Sequence, residues 1–459
     1  MDWKDERVVI VGVARQGTAL AQYLAGLGAR VVLTDRRSAA DLGSPRAALA
    51  GLPIDWELGG HPLSLLDGAD WLCPSGGVPL TIPLVVAAQE RGIPLTNDSQ
   101  VFIAAAPCPV VGITGSAGKT TTTLVGRMAA AAVQHGSFRK VWTGGNIGNP
   151  LIASISDMQA TDLAVMELSS FQLEIMTTSP HIAAVLNITP NHLDRHAGMQ
   201  AYTAAKAKIL AFQGPSGIAV LNRDDPGSWA LAGQVHGHLH SFGLGEPEPG
   251  QLGAFIRGRS LWLRTPTGDD EVVPLHNIKL RGEHNLLNVL AACAIAAAAA
   301  IPIAAMRTAI AGFESVPHRL EFVRHWGGAD WYNDSIATAP ERAIASMRAF
   351  QAPLVLLAGG RDKHLPWDQF AAVVRQQVDH LIVFGEAADI ILSAVRALPD
   401  LPPAFTVDRF STLQQAVQKA AAVVQPGDVV LLAPGGTSFD EFEDFEQRGA
   451  KFKEWVLAL

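Results

Sequence analysis

Residues 112–123 read GITGSAGKTTTT: three glycines, one lysine and four consecutive threonines directly after the apolar pair Val110-Val111. A glycine-rich turn between a buried strand and a helix aims backbone N–H groups, and the positive helix end, at a phosphate. Gly115, Ser116, Ala117 and Gly118 would form that turn, with Lys119 as a point charge on the outer phosphates. Thr120 would offer a hydroxyl to Mg²⁺, and Thr121 and Thr122 would complete the first helical turn. The general phosphate-loop pattern wants glycine where Ile113 stands, so spacing alone leaves open a loop that merely starts a helix. Repeated β-branched threonines are mediocre helix formers, and a phosphate accounts for them better. The run is therefore read as an ATP site.

Two more apolar runs end in polar clusters. MELSSFQ puts Glu167 at a strand end, followed by Ser169, Ser170 and Gln172. NITPNHLDRH puts Asn191, His192, Asp194, Arg195 and His196 past another. Mg²⁺ favours hard oxygen ligands, which suits Glu167 and Thr120. His192 and Asp194 could make half a zinc site, but no third ligand has metal spacing. A solvated charged loop stays open for this cluster. Lys206, in YTAAKAKIL, reads alone as a surface lysine on an amphipathic helix. GVARQG, residues 12–17, has Ala14 where a dinucleotide fingerprint has glycine. With Asp35 at the end of the next strand it still suggests a nucleotide moiety; a helix-cap turn with a surface aspartate is the plainer reading.

A length of 459 residues suggests three domains at ~150 residues each. Hydrophobic residues make up 48% of the chain, enough for several cores. A net charge of −8 without a basic run argues against a nucleic-acid partner. Cys73, Cys108 and Cys293 have no metal spacing and suit a reducing compartment. No secretory leader is visible, and the alanine-rich stretch 286–305 reads as a buried helix, not a membrane span. A soluble cytoplasmic protein is expected. Strands are expected at 7–13, 30–35 and 69–75; at 163–168, 182–188 and 218–222; and at 330–335, 353–360, 380–385 and 428–436. A small antiparallel patch is expected near 254–275.

GITGSAGKTTTT, GGNIGNP (144–150), MELSSFQ, NITPNHLDRH with YTAAK, RGEHNLLN (281–288), PHRLE (317–321), NDSIAT (333–338) and FEQRG (445–449) occur in that order. Together they resemble the Mur ligase family of ATP-dependent amide-forming enzymes, over nearly the whole chain. The family's phosphate loop has glycines at the same three places. The resemblance implies an α/β fold of three domains. A Rossmann-like N-terminal domain (1–106) would bind the UDP end of the substrate. A P-loop-type central ATPase domain (107–313) and a Rossmann-like, glutamate-binding C-terminal domain (314–459) would follow. It implies a catalytic set of Lys119, Glu167, His192 and Lys206. It also implies two Mg²⁺ ions, one between Glu167 and Thr120 and one between His192 and a carbamylated Lys206, whose modification turns a cation into a carboxylate-like ligand. His284, Asn285, Asn288, Arg319 and Asp334 would hold adenine and ribose. Ala14, Arg15, Gln16, Gly17, Asp35, Arg36, Ser75, Gly76 and Gly77 would hold the UDP end, although the family has proline at the place of Gly76. Asn146, Ser169 and Gln172 would line the path of the muramoyl group.

FEQRG resembles the branch of the family that adds D-glutamate to UDP-N-acetylmuramoyl-L-alanine, a step of peptidoglycan precursor synthesis through an acyl phosphate. Thr338, Lys363, Ser438, Phe439 and Phe445 match positions around the amino acid there. The family pattern NDSKATN reads NDSIATA here, so Ile336 and Ala339 replace a lysine and an asparagine. D-Glutamate remains the expectation, with Arg342 or Arg361 supplying the missing charge. The alternatives are L-glutamate or another amino acid with the same chemistry, and a folylpolyglutamate-type ligase. A nicotinamide-dependent oxidoreductase and a silent nucleotide-binding protein are the readings from other classes. The first has Ala14 and the phosphate loop against it; the second has Lys119, Glu167, His192 and Lys206 against it. A monomer is expected.

Overall fold

Short apolar runs punctuated by glycine, proline and aspartate become the strands of three sheets. The structure is a computed structural model that describes residues 2–146, 149–191, 195–280, 282–313, 317–398 and 405–459, and the counts below are of those residues. The first sheet holds β1 (Arg7–Val11), β2 (Arg30–Asp35), β3 (Ile54–Leu58) and β4 (Trp71–Pro74), all parallel, in the order β3-β2-β1-β4. The helix Arg15–Gly26 follows β1 and buries Leu20, Ala21 and Leu24.

The second sheet runs β5 (Val110–Thr114), β6 (Val141–Gly145), β7 (Leu163–Glu167), β8 (Ile182–Val185), β9 (Ile218–Asn222), β10 (His238–Phe242), β11 (Leu252–Arg257), β12 (Ser260–Thr265) and β13 (Gly268–Pro274). Its order is β13-β12-β11-β10-β9-β8-β5-β7-β6. Central strands β5, β7 and β8 are buried at every residue, as strands covered on both faces must be. The antiparallel patch expected near 254–275 is not separate. β11 pairs in parallel with β10, so β11, β12 and β13 extend the main sheet, with antiparallel pairing only in the last two joints.

The third sheet holds β14 (Glu321–Trp326), β15 (Ala329–Asn333), β16 (Leu354–Gly359), β17 (Val378–Phe384), β18 (Thr406–Phe410) and β19 (Val429–Gly435). Its order is β14-β15-β19-β16-β17-β18, parallel except for the β14–β15 hairpin. Two compact units result: Met1–Lys279 with Glu283–Phe313 carries the first two sheets, and Leu280–Gly282 with Glu314–Leu459 carries the third.

The alanine-rich stretch is two helices, Glu283–Ala298 and Ile303–Ala311, divided at Pro302. Small side chains let the first lie close against the helix Lys119–Gln134, with Val289 to Ala296 buried. Among the described residues no helix is long and apolar enough to cross a membrane. Cys73, Cys108 and Cys293 are buried free thiols.

Close packing decides one glycine. A Cβ on Gly112, in the middle of β5, would lie 2.5 Å from Pro180 Cγ and 3.2 Å from Leu168 Cδ1. Gly112→Ala should therefore destabilise the chain by about 1–3 kcal/mol, the usual penalty of overpacking. Calorimetry should show a lower Tm, partly recovered by adding Pro180→Ala; an unchanged Tm would show that the pocket yields.

Candidate active site

β5 delivers the chain to Gly115, and the helix Lys119–Gln134 takes it away with Gly118 as its N-cap. A helix start leaves its first N–H groups without intrahelical acceptors, so the loop faces outward with donors to offer. The loop is clamped by the segment that leaves β8. Asn187 Oδ1 accepts from Ala117 N (2.9 Å), its Nδ2 donates to Ala117 O (3.3 Å), and its carbonyl accepts from Ser116 N (3.0 Å). Ser116 Oγ donates to Thr189 O (2.8 Å), accepts from Thr189 N (2.9 Å) and lies 3.1 Å from the Tyr202 hydroxyl. Asn191 Nδ2 donates to Ser116 O (3.3 Å). Asn187 does not stand out in the sequence; its one signal is an amide directly after an apolar strand.

Thr120 is buried, and Thr122 Oγ1 donates back to Gly118 O (3.2 Å). Thr121 Oγ1 donates to Asn288 Oδ1 (3.2 Å), whose Nδ2 donates to Asn285 Oδ1 (3.1 Å). Three residues assigned to the nucleotide thus meet in one chain, while His284 is exposed at the start of the same helix as Asn285. The Lys119 side chain and all of His192 and Asp194 lie outside the described residues.

Glu167 ends β7 with its carboxylate 8% exposed. Oε1 accepts from Asn146 Nδ2 (3.0 Å), while buried Oε2 has no donor among the described residues. A Cβ on Gly118 would stand 3.8 Å from that oxygen, which places it beside the phosphate loop. Lys206 overturns its reading as a surface lysine, being 1% exposed. The helix Met199–Ala211 turns Tyr202, Ala205, Lys206, Ile209 and Leu210 inward, a regular i, i+3, i+4 stripe into which Lys206 falls. Its Nζ donates to Gly115 O (2.9 Å) and Thr114 Oγ1 (3.2 Å) and sits 4.9 Å from the Tyr202 ring centre. Burial lowers its pKa to about 8, against the opposing pull of Glu167.

His196 packs instead of facing a ligand. It is buried, parallel to the Phe171 ring at 5.3 Å, with Nε2 3.0 Å from Ser170 Oγ. The Arg195 guanidinium lies over the other partner of that stack, 4.7 Å from Phe171. Among the described residues no group of three His, Cys, Asp or Glu side chains could by itself hold a metal.

Gln172 is buried and hydrogen-bonded at its amide oxygen, its amide nitrogen and its backbone carbonyl. With Ser169 it forms a capping box, its Oε1 accepting from Ser169 N and Oγ (both 2.9 Å). Its Nε2 donates to Ser99 Oγ (2.8 Å), and its carbonyl accepts from Asn97 Nδ2 (2.8 Å), joining the first sheet's domain to the second sheet. Gly76 lies in the same joint, where a Cβ would be 3.5 Å from Gln16 Oε1 and 3.7 Å from Gln172 Cγ. In the first βα turn, Ser75 Oγ donates to Gly12 O (3.0 Å), and any side chain on Gly17 would collide with that carbonyl. Ala14, Arg15, Arg36 and Gly77 are exposed around it. Asp35 is neither a surface residue nor a free acceptor: it takes Val13 N (2.8 Å) and binds Arg37 through Nε (3.0 Å) and Nη2 (2.8 Å). These bonds hold its carboxyl well below the usual range, led by the Arg37 side chain. Arg37, unlike its neighbour Arg36, is thus the arginine built into the turn.

In the second unit, Asp334 is buried, with Oδ1 accepting from Leu320 N (3.1 Å) and Oδ2 from Ser346 Oγ; burial raises its pKa. Arg319 is half-buried beside Leu320, and its charge acts on Asp334. Lys363 Nζ is 3.4 Å from Thr338 Oγ1, so these two expected neighbours do meet. Ser438 is buried and Phe439 is 59% exposed, while Phe445 packs edge-on to His318 at 6.4 Å. Arg448 explains the FEQRG stretch. It is buried and donates to Ser335 Oγ (3.0 Å), Ser335 O (2.9 Å), Thr437 O (3.0 Å) and Gly436 O (3.2 Å), tying together the loops after β15 and β19.

Comparison with known proteins bears on this arrangement. The family model described as Mur ligase middle domain matches residues 113–296, and the one described as Mur ligase, glutamate ligase domain matches 318–436. The chain is 40% identical over 456 residues to the UDP-N-acetylmuramoylalanine–D-glutamate ligase of Symbiobacterium thermophilum, covering 99% of this chain and 98% of that one. It is 41% identical to the protein of the same name from Anaeromyxobacter dehalogenans, covering 98% and 97%. Among solved structures, the UDP-N-acetylmuramate-alanine ligase of Thermotoga maritima superposes with a TM-score of 0.58 at 18% identity, covering 98% and 99%. A pseudomurein peptide ligase from Methanothermus fervidus does so with 0.57 at 17%, covering 99% and 100%; at these identities the likeness concerns the fold alone. The full-length relatives carry the conclusion: the chain belongs to the Mur ligase family.

Proposed function

We propose that the chain is an ATP-dependent ligase that joins D-glutamate to UDP-N-acetylmuramoyl-L-alanine in peptidoglycan precursor synthesis, as a cytoplasmic monomer. The observation that carries this reading is the phosphate loop backed by buried Glu167 and Lys206, in a chain matched end to end by relatives of that name. A carboxylate does not react with an amine at neutral pH, because its leaving group would be oxide. The γ-phosphoryl of ATP is transferred to the alanyl carboxylate, releasing ADP and leaving an acyl phosphate. The glutamate amine then attacks the acyl carbon; the C–N bond forms, the C–O bond breaks and phosphate departs. Lys119, by its place at the helix start, would offset charge during phosphoryl transfer.

The residues present fit a divalent cation. Glu167 Oε2 is a buried oxygen beside the loop with no partner among the described residues, and buried Thr120 lies in the first turn of the helix that follows the loop. When bound, Mg²⁺ neutralises phosphate charge. Two ions and a carbamate on Lys206, with His192 as a further ligand, complete the proposed set. The functional divisions are 1–106 for the UDP end, 107–313 for ATP and 314–459 for the amino acid. Gln16 and Ser75 are proposed for the UDP end, and Asn146 and Ser169 for the muramoyl path. Thr338, Lys363, Ser438, Phe439 and Phe445 are proposed for glutamate.

Purified chain should release phosphate from ATP only with UDP-N-acetylmuramoyl-L-alanine and D-glutamate together. A preference for L-glutamate above about tenfold, or ~1.4 kcal/mol in transition-state binding, would overturn the assignment of the D-isomer. Carbamate formation needs the neutral amine. Burial pulls the Lys206 pKa down to about 8, so far more of it is neutral near pH 7.5 than of an ordinary lysine. Labelled bicarbonate should give a carbamate carbon resonance that grows as pH rises through about 8 and vanishes in Lys206→Ala. No resonance at any pH would remove the modification. Asn187→Ala removes both side-chain bonds to Ala117 and should lower kcat on the order of 10²-fold, as misplacement of a reacting group does. Full turnover in this variant would show that the clamp is dispensable.

A further inference from the structure

The reading above gives the second unit a dicarboxylate to hold, and each carboxylate taken from water needs a cation or several donors. Lys363 beside Thr338 supplies one. The loop that carries Thr338 supplies no other, because position 336 is Ile336, half-buried, with its N–H donated to His318 O (3.1 Å). The nearby arginines differ in what they are free to do. Arg448 spends its guanidinium on internal acceptors. Arg361 is held by Glu386 through two bonds of 2.8 and 3.1 Å. Arg342 is exposed, and among the described residues its guanidinium has no hydrogen-bond or ion-pair partner.

Its position suits a ligand. Arg342 is the third residue of the helix Pro340–Met347, which begins two residues after Thr338, and its own N–H donates to Ala339 O (3.1 Å). Long helical side chains favour rotamers that lean toward the helix N-terminus, the end of this helix that adjoins the Thr338 loop. Its charge already reaches Asp334 at the head of that loop. A cation in a first helical turn opposes the helix dipole, so Arg342 gains nothing from its own helix. We infer that Arg342 is a specificity-determining anchor that, with Lys363 and Thr338, holds the second carboxylate of the amino-acid substrate. The inference rests on the ligase reading above. A planar guanidinium grips a carboxylate through two parallel bonds, which a neutral side chain of the same size cannot offer.

The test uses the full chain and the phosphate-release assay. Arg342→Gln should raise KM for D-glutamate by about tenfold or more, as losing a charged hydrogen bond does. KM for ATP and for UDP-N-acetylmuramoyl-L-alanine should stay within about twofold, and Tm should not move, since no internal contact is lost. Arg342→Lys, which keeps the charge, should recover part of the loss. An unchanged glutamate KM in Arg342→Gln, or equal impairment of the Lys and Gln variants, would overturn the anchor. Wild-type turnover with D-glutamate reads the ligase assignment separately: if it is absent, that assignment falls and takes the anchor with it.

Discussion

A lysine ammonium buried behind the phosphate loop is the constraint that the second sheet is built around. An unpaired buried cation is prohibitive, so Lys206 must find acceptors, and it finds them at the end of β5: Gly115 O and Thr114 Oγ1. Thr114 Oγ1 in turn donates to Leu168 O (2.7 Å), just past the end of β7. One side chain thereby fixes the height of two strand ends relative to each other, and with them Gly115 and Glu167. The compensation is incomplete, since desolvation still outweighs the attraction of Glu167 and the pKa falls.

The same principle, a buried polar group held by several hydrogen bonds, joins the larger pieces. Gln172 cannot leave its pocket without stranding bonds to Ser169, Ser99 and Asn97, so the first sheet's domain is held at the SSFQ turn. Arg448 does this in the second unit, where it aligns the loops that carry Asp334, Thr338 and Ser438. Burial draws its pKa down to about 10, which leaves it charged at neutral pH and its bonds charge-assisted. Motif residues here are as much fasteners as ligands.

That division sets what could be read from the sequence. Strands covered on both faces, such as β5, β7, β9, β16 and β19, are continuous apolar runs and are plain in it. β3, β6, β14 and β18 are edge strands with polar residues on an open face, and β10 is rich in histidine; none of the five carries an apolar run long enough to notice. At the site, glycine spacing and strand-end polar residues mark the loop and Glu167. The partners that hold them do not show. Asn187 and Arg37 act through single side chains whose neighbours are distant in sequence or chosen by one step of register. Lys206 was legible in principle, because it sits in the apolar stripe of its helix, but a lone lysine in such a stripe ordinarily snorkels to solvent.

The clamp on the loop also divides its donors. Ser116 N and Ala117 N are given to Asn187, so the N–H groups left for a phosphate run from Gly118 into the first helical turn. Those groups lie beside Glu167 Oε2, within reach of a single added carbon on Gly118. A phosphate seated there would bring two anions together in a partly dry site, where positive charge must intervene. Among the described residues, Glu167 accepts from Asn146 on one oxygen and meets no donor on the other. A hard, anionic oxygen placed beside the loop is of the kind that a divalent ion takes, which is the chemistry that Glu167 brings to this end of the sheet.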